Sequence, residues 1–282
     1  MTRHLLFDLQ FPEIRHTFTR RDTILYALGV GVGWDPMDSE QLRYVYEDRL
    51  QTLPTMAVTL AYPGYWYRDL DTGLDHARTV HASEKIVLHG PLPVEGAVIA
   101  KPRVIDVVDK GRDRGALIVS ERQIRDAASG ALLATVRQTA MCRADGGFAE
   151  SPQKSEPPSP LPDRSPDFAL TLPTSPQAAL IYRLSGDRNP LHAQPDFARQ
   201  AGFPRPILHG LSTMGLVCHA ALRLVFGHVP ERLREMDCRF TAPVYPGDAV
   251  ATDFWRMEAD WRFRASVSDR VVALGSIVGT SV

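Results

Sequence analysis

The chain has 282 residues, 44% hydrophobic and 23% charged, with 32 Lys and Arg against 33 Asp and Glu for a net charge of -1. That is ordinary globular usage, so disorder, collagen and coiled coil are poor readings, and the balanced charge argues against nucleic acid or a membrane surface as the partner. No run approaches the ~18 consecutive apolar residues of a membrane span.

The N-terminus, MTRHLLFDLQFPEIRHTF, carries charges inside every apolar run, so no signal peptide is expected. The three cysteines, Cys142, Cys218 and Cys238, are odd in number and far apart. They read as reduced thiols of a cytoplasmic protein and as neither disulfides nor a zinc site. The first part opens irregularly, with Gly31-Val-Gly-Trp-Asp-Pro-Met-Asp-Ser-Glu as a turn-rich loop. An apolar segment follows, Leu53-Pro-Thr-Met-Ala-Val-Thr-Leu-Ala-Tyr, stopped by Pro63-Gly64, so any helix here is short. Runs of alternating apolar and polar residues come next: Lys85 to Leu88, Gly96 to Asp109, Gly115 to Ile124 and Leu132 to Ala140. Alternation of this kind builds an antiparallel sheet with one buried face. Residues 151–166 hold six Pro and four Ser in sixteen positions and a single large apolar side chain, Leu161. This is an extended linker, and it divides the chain into units at 1–150 and 167–282.

The second unit repeats the plan of the first, a helical part and then a strand meander over Arg239 to Trp255, Trp261 to Val267 and Val271 to Val278. The stretch from Lys85 to Gly96 matches that from Arg239 to Gly247 in role and place, so the chain reads as a duplication. Tyr182-Arg-Leu-Ser-Gly-Asp-Arg-Asn-Pro-Leu-His puts Asp187, Asn189 and His192 in one loop. An acid and an imidazole in a loop can be aimed at one small molecule such as water, and histidine suits proton transfer near neutral pH. The same spacing also makes a good Asx turn, and both readings stand on the spacing alone. Farther on, Leu211, Met214, Gly215, Cys218, Leu222, Val225 and Phe226 form one apolar helical face ended by Gly227. Gly210 opens this helix, so its N–H is an unpaired donor that a carbonyl oxygen could approach, as in an oxyanion hole. Read alone, Gly210 could equally ease a tight turn, with His209 in the core. His81, His89 and His219 make no metal spacing, and Arg20, Arg21, Arg232 and Arg234 are unassigned.

Taken together, YRLSGDRNPLH and FARQAGFPRPILHGLSTMG resemble the hydratase 2 motif of the (R)-specific enoyl-CoA hydratases, the MaoC-like dehydratases of the hot-dog fold. Leu25-Tyr-Ala-Leu-Gly-Val-Gly and Leu53-Pro-Thr-Met-Ala-Val resemble the opening of the double hot-dog unit in this family. Arg188 departs from the pattern, standing where an aromatic is frequent. The resemblance implies an α+β double hot-dog, each sheet wrapped around a central helix, and a reversible hydration of trans-2-enoyl-CoA to the (3R)-3-hydroxyacyl-CoA. It implies that Asp187 and His192 activate water, that Asn189 fixes the loop, and that the Gly210 N–H stabilises the thioester enolate. It implies no metal and no cofactor beyond the CoA of the substrate, and a homodimer. The first unit lacks the equipment: its loop has no histidine, and Leu53-Pro54 replaces His209-Gly210. It is expected instead to bind the acyl tail through Met56, Val58, Leu60 and Tyr62, with His209 also touching substrate. A dehydratase acting on acyl-carrier-protein thioesters and a hot-dog thioesterase are the alternatives.

Overall fold

Each alternating run becomes a strand. The computed structural model describes residues 6–149, 153 and 160–281. The strands are β1 (Ile14–Phe18), β2 (Thr79–Leu88), β3 (Gly96–Ala100), β4 (Arg103–Asp109), β5 (Ala116–Asp126) and β6 (Leu132–Cys142), then β7 (Phe168–Pro173), β8 (Leu233–Phe240), β9 (Ala249–Arg256), β10 (Trp261–Val267) and β11 (Arg270–Gly279). They form one antiparallel sheet in the order β1-β3-β5-β6-β2-β8-β11-β10-β9-β7, with β4 also on β5. The order reads the same from both ends: β1, β3, β5, β6 and β2 occupy the places of β7, β9, β10, β11 and β8, which is the expected duplication. β3 and β4 pair in succession with β5, at Ile99↔Arg125 and Arg103↔Glu121, so they are one strand broken at Lys101-Pro102. Proline has no N–H for the ladder, which accounts for the break.

The two sheets join edge to edge through β2 and β8, paired from Ser83↔Arg239 to Val87↔Glu235, and Lys85 Nζ meets the Glu235 carboxylate at 2.6 Å across the seam. A sheet edge that would otherwise expose unpaired backbone groups is thereby closed. Of the expected linker, positions 151, 152 and 154–159 lie outside the described residues. Gln153 is tied to the backbone of Asp109, donating its N–H at 2.7 Å and accepting at Oε1 at 3.1 Å.

The helices lie against the sheet: α1 (Arg20–Gly29), α2 (Ser39–Val45), α3 (Trp66–Asp69), α4 (Ala178–Tyr182), α5 (Pro195–Gln200) and α6 (Gly210–Leu224). α1 starts on a capping box, with the Thr19 side chain and the Asp22 carboxylate each accepting from the other's backbone N–H. α6 is the central helix of the second half. It is buried on every side from Leu211 to Leu222, more than one apolar face requires, because α1 covers the flank turned from the sheet. Ser212 Oγ donates to the Gly29 carbonyl at 3.1 Å, and a Cβ on Gly215 would stand 2.5 Å from Val30 Cγ1. Such an approach is open only to glycine.

The first half has no such helix. Its central segment is a five-residue 3₁₀ turn, Pro54–Val58. Ala61 then turns left-handed at φ 46°, and Pro63 and Gly64 follow, so helix cannot propagate. Arg122, buried in β5, donates to the carbonyls of Val58 (2.6 Å) and Leu60 (3.4 Å) and satisfies the backbone the missing turns leave open.

Candidate active site

The loop after α4 and the start of α6 converge. Asp187 Oδ1 accepts the N–H of Asn189 at 3.1 Å, and Asn189 Oδ1 accepts the N–H of Leu191 at 3.0 Å, capping the 3₁₀ turn Pro190–His192. The Asx geometry and the chemistry are therefore not rivals, since the turn aims the acid and the imidazole. His192 is buried, and its Nδ1 donates to the Ile207 carbonyl at 2.9 Å. A carbonyl can only accept, so the proton is on Nδ1 and Nε2 is left as the base. Burial holds the His192 pKa below the ordinary histidine value, although the Asp187 charge and the Ile207 carbonyl pull it up. The imidazole is therefore neutral near pH 7.

His209 is the N-cap of α6 and 1% exposed. Its Nε2 donates to the Asp187 main-chain carbonyl at 3.2 Å, and its ring stacks on His192 with centroids 3.7 Å apart. Burial, with His192 alongside, pushes its pKa well below the usual value, so it too is neutral. The Tyr182 ring packs against His209 at a tilt, with centroids 4.8 Å apart. A nitrogen or oxygen from each of Asp187, His192 and His209 lies within 4.8 Å of the others, room for one water among them. The two imidazole planes are within 26° of parallel.

Gly210 is the first residue of α6, and His209 provides no side-chain cap there, so the Gly210 N–H has no helical acceptor. A Cβ on Gly210 would meet the Phe240 ring at 3.2 Å. Phe240 in turn packs edge-on against His81 of β2, 5.0 Å between centroids. Phe240 of the second half thus covers the Cα of Gly210 and itself touches a first-half strand across the seam. His81 Nε2 donates to the buried Glu84 carboxylate at 3.0 Å. Sequence reading set His81 aside as making no metal spacing and did not single out Tyr182, Phe240, Glu84 or Arg122. A buried arginine and a buried glutamate in alternating strand positions are detectable as polar residues on an apolar face, but only the β2–β8 pairing brings them near the loop.

The expected tail-binding residues are placed otherwise. Met56, Val58 and Leu60 are 2%, 0% and 0% exposed and fill the core between the 3₁₀ turn, α6 and the sheet. Tyr62 alone is half-buried, 5.9 Å below the Arg122 guanidinium, and burial and the Asp187 charge raise its pKa. Two cavities, of about 130 and 200 Å³, lie elsewhere: one between α1 and Pro173–Ser175, the other at the seam around Pro54, Leu88 and Arg234. Neither is lined by any of these four residues. His209, expected to touch substrate, is buried, with its ring against His192 and its Nε2 on the Asp187 carbonyl.

Two family models divide the chain: "MFE-2 hydratase 2 N-terminal domain" over residues 16–144 and "MaoC like domain" over 158–275. A 3-hydroxyacyl-thioester dehydratase of Mycobacterium tuberculosis is 40% identical over 86% of this chain and 83% of its own. An enoyl-CoA hydratase of the same organism is 36% identical over 88% and 86%, and the peroxisomal enoyl-CoA hydratase 2 of Arabidopsis thaliana is 36% identical over 89% and 86%. Among solved structures, a MaoC-like dehydratase from Phytophthora capsici superposes with a TM-score of 0.87 at 26% identity, covering all of both chains. Likeness along both halves, together with the duplicated sheet and the Asp187–His192 loop facing the start of α6, makes this chain a member of the MaoC-like dehydratase family, in its double hot-dog hydratase 2 branch.

Proposed function

We propose that the protein is a hydro-lyase that adds water reversibly across the double bond of a trans-2-enoyl-CoA, giving the (3R)-3-hydroxyacyl-CoA. The observation that carries this is the neutral His192, with Nδ1 held by the Ile207 carbonyl and Nε2 open beside Asp187, at the mouth of an N–H donor with no acceptor of its own. Nε2 takes a proton from a water held against Asp187 as the water oxygen bonds to C3. The π electrons move onto the thioester oxygen, which the Gly210 N–H stabilises. A proton from the same loop then reaches C2. The thioester itself makes the double bond electrophilic, so the reading requires no metal, flavin or nicotinamide. Asn189 keeps the loop closed through Leu191. A homodimer in the cytoplasm belongs to this reading, and exposed Leu28 on α1 and Leu180 on α4 offer apolar surface for self-association. Among the described residues no helix is long and apolar enough to cross a membrane.

Because one loop delivers the water and also returns the proton, both arrive on one face. Hydration in D₂O should give syn addition and a (3R) centre, read by chiral chromatography and NMR of the product. Anti addition or a (3S) product would overturn the geometry.

A further inference from the structure

The two halves meet about a pseudo-twofold. Lys85↔Asp237 is the middle pair of the β2–β8 ladder, with two pairs on each side. Leu88 therefore stands on β2 where Phe240 stands on β8, and Leu233 stands on β8 where His81 stands on β2. The backbone beyond the strands repeats as well. The His89 N–H donates to the Leu133 carbonyl at 2.9 Å, as the Thr241 N–H does to that of Val272 at 3.0 Å. Leu53 caps the 3₁₀ turn at φ -65°, ψ 132°, and His209 caps α6 at φ -60°, ψ 136°, so Pro54 takes the place of Gly210. Pro54, Leu88 and Leu233 all line the cavity of about 200 Å³ at the seam. That cavity is thus the image of the cleft at Gly210, which Phe240 and His81 adjoin. The chemistry has gone from it, since proline has no N–H to offer an oxyanion and no histidine lines the cavity.

What remains is suited to holding a ligand. Gln51 lines the cavity, and its Oε1 is buried with no hydrogen-bond partner. A buried acceptor left open is costly, so the site calls for an N–H from outside. The Thr52 hydroxyl does not supply it, being given to the Pro93 carbonyl at 2.9 Å. Leu88, Leu92 and Val94 give apolar walls around this acceptor. An amide N–H on an otherwise apolar arm is the chemistry of pantetheine. We infer that this cleft is a second, non-catalytic thioester site, in which the pantetheine arm of an acyl-CoA lies with an amide N–H on Gln51 Oε1. Duplication supplied two clefts, and the second half kept the chemistry while the first half kept the binding. The inference rests on the hydratase reading, since the ligand of the image is taken from that of the cleft at Gly210.

Butanoyl-CoA, which has no double bond to hydrate, is the probe, and calorimetry counts the molecules bound per chain. Wild type is expected to bind two. Gln51→Leu keeps the bulk of the side chain and removes its acceptor, so one of the two should bind roughly fivefold more weakly, the worth of one hydrogen bond. Leu92→Trp fills the cleft, so only one molecule should bind. In both variants kcat/KM for a trans-2-enoyl-CoA should equal that of the wild type, and urea unfolding checks that each folds. Butanoyl-pantetheine keeps the arm without the nucleotide and should still occupy the second cleft. One molecule per wild-type chain, or a second one indifferent to both substitutions, would overturn the inference and leave the hydratase reading intact. A second cleft that butanoyl-pantetheine cannot enter would also overturn it. Gln51→Leu decides alone if Leu92→Trp does not fold. Two bound molecules with no hydration of any enoyl-CoA would sink the hydratase reading and leave the second cleft standing.

Discussion

Replacing Gly210 by alanine separates the oxyanion donor from the rest of the fold. The backbone at Gly210 is ordinary first-turn helix, without the left-handed φ that would penalise a side chain. Alanine is favoured over glycine in helix by roughly 1 kcal/mol. Against this stands one contact: the new Cβ would lie 3.2 Å from two atoms of the Phe240 ring and 3.3 Å from a third. Phe240 is partly exposed, so its ring can yield by a few tenths of an ångström, toward or away from His81. The two effects offset, and stability should stay within about 1 kcal/mol of wild type. Activity should not survive as well. A methyl on the Gly210 Cα crowds an oxygen held at the Gly210 N–H, and misplacement of an oxyanion donor costs on the order of 10²-fold in kcat. Gly215→Ala is the control. Its Cβ would strike Val30 Cγ1 at 2.5 Å and Tyr26 Oη at 3.1 Å, so it should cost about 1–3 kcal/mol of stability without a selective loss of kcat. Steady-state hydration kinetics and urea unfolding on both variants read the difference. A Gly210→Ala enzyme within twofold of wild-type kcat would refute the donor assignment.

Asp187→Asn and His192→Gln should each lower kcat by ~10²–10⁴ while unfolding midpoints hold, checked by kinetics and by circular dichroism. Since burial depresses the His192 pKa, its neutral base form persists below the ordinary 6.5, and the acid limb of the kcat/KM profile should lie under pH 6.5; a limb at or above that value counts against His192 as the base. His219 is buried in α6 with neither ring nitrogen bonded, and burial holds its pKa down to about 4. The unfolded chain therefore binds a proton that the folded one refuses between pH 6.5 and 4, so this stability is full above pH 6.5 and is lost as pH falls. His219→Leu should reduce the loss of unfolding free energy between pH 7 and 5 by about 2 kcal/mol, and an unchanged pH dependence in denaturant titrations would contradict it.

The parts legible in the sequence are those written in local chemistry. Ser185-Gly186 and Asn189-Pro190 announce the loop, and the structure shows why: Asp187 and Asn189 cap backbone donors two residues on. The period of α6 is equally plain, and its start at Gly210 is where it was expected. The duplication is visible as two meanders, but their fusion is not, because β2 and β8 are more than 140 residues apart and each alternates alike whether it is an edge or a centre. Gly96 to Asp109 reads as one strand, and only its pairing shows the interruption at Pro102. The shortness of the first central segment follows from Pro54, Pro63 and Gly64, yet its consequence does not. A short helix can leave a cavity or let the walls close, and here Met56, Val58 and Leu60 pack shut under Arg122. Arg122 itself has no local signature, since its partners are two carbonyls some sixty residues upstream.

The central claim is that this loop and helix start add water to a thioester-activated double bond, and one assay tests it most directly. Wild type and Asp187→Asn are given a trans-2-enoyl-CoA, and the enoyl absorbance is followed in the presence of a thiol-reactive dye. The account predicts that wild type removes the enoyl band without any thiol appearing, and that Asp187→Asn does so at least ~10²-fold more slowly. Release of thiol at the rate of substrate loss, or full activity in Asp187→Asn, would contradict it.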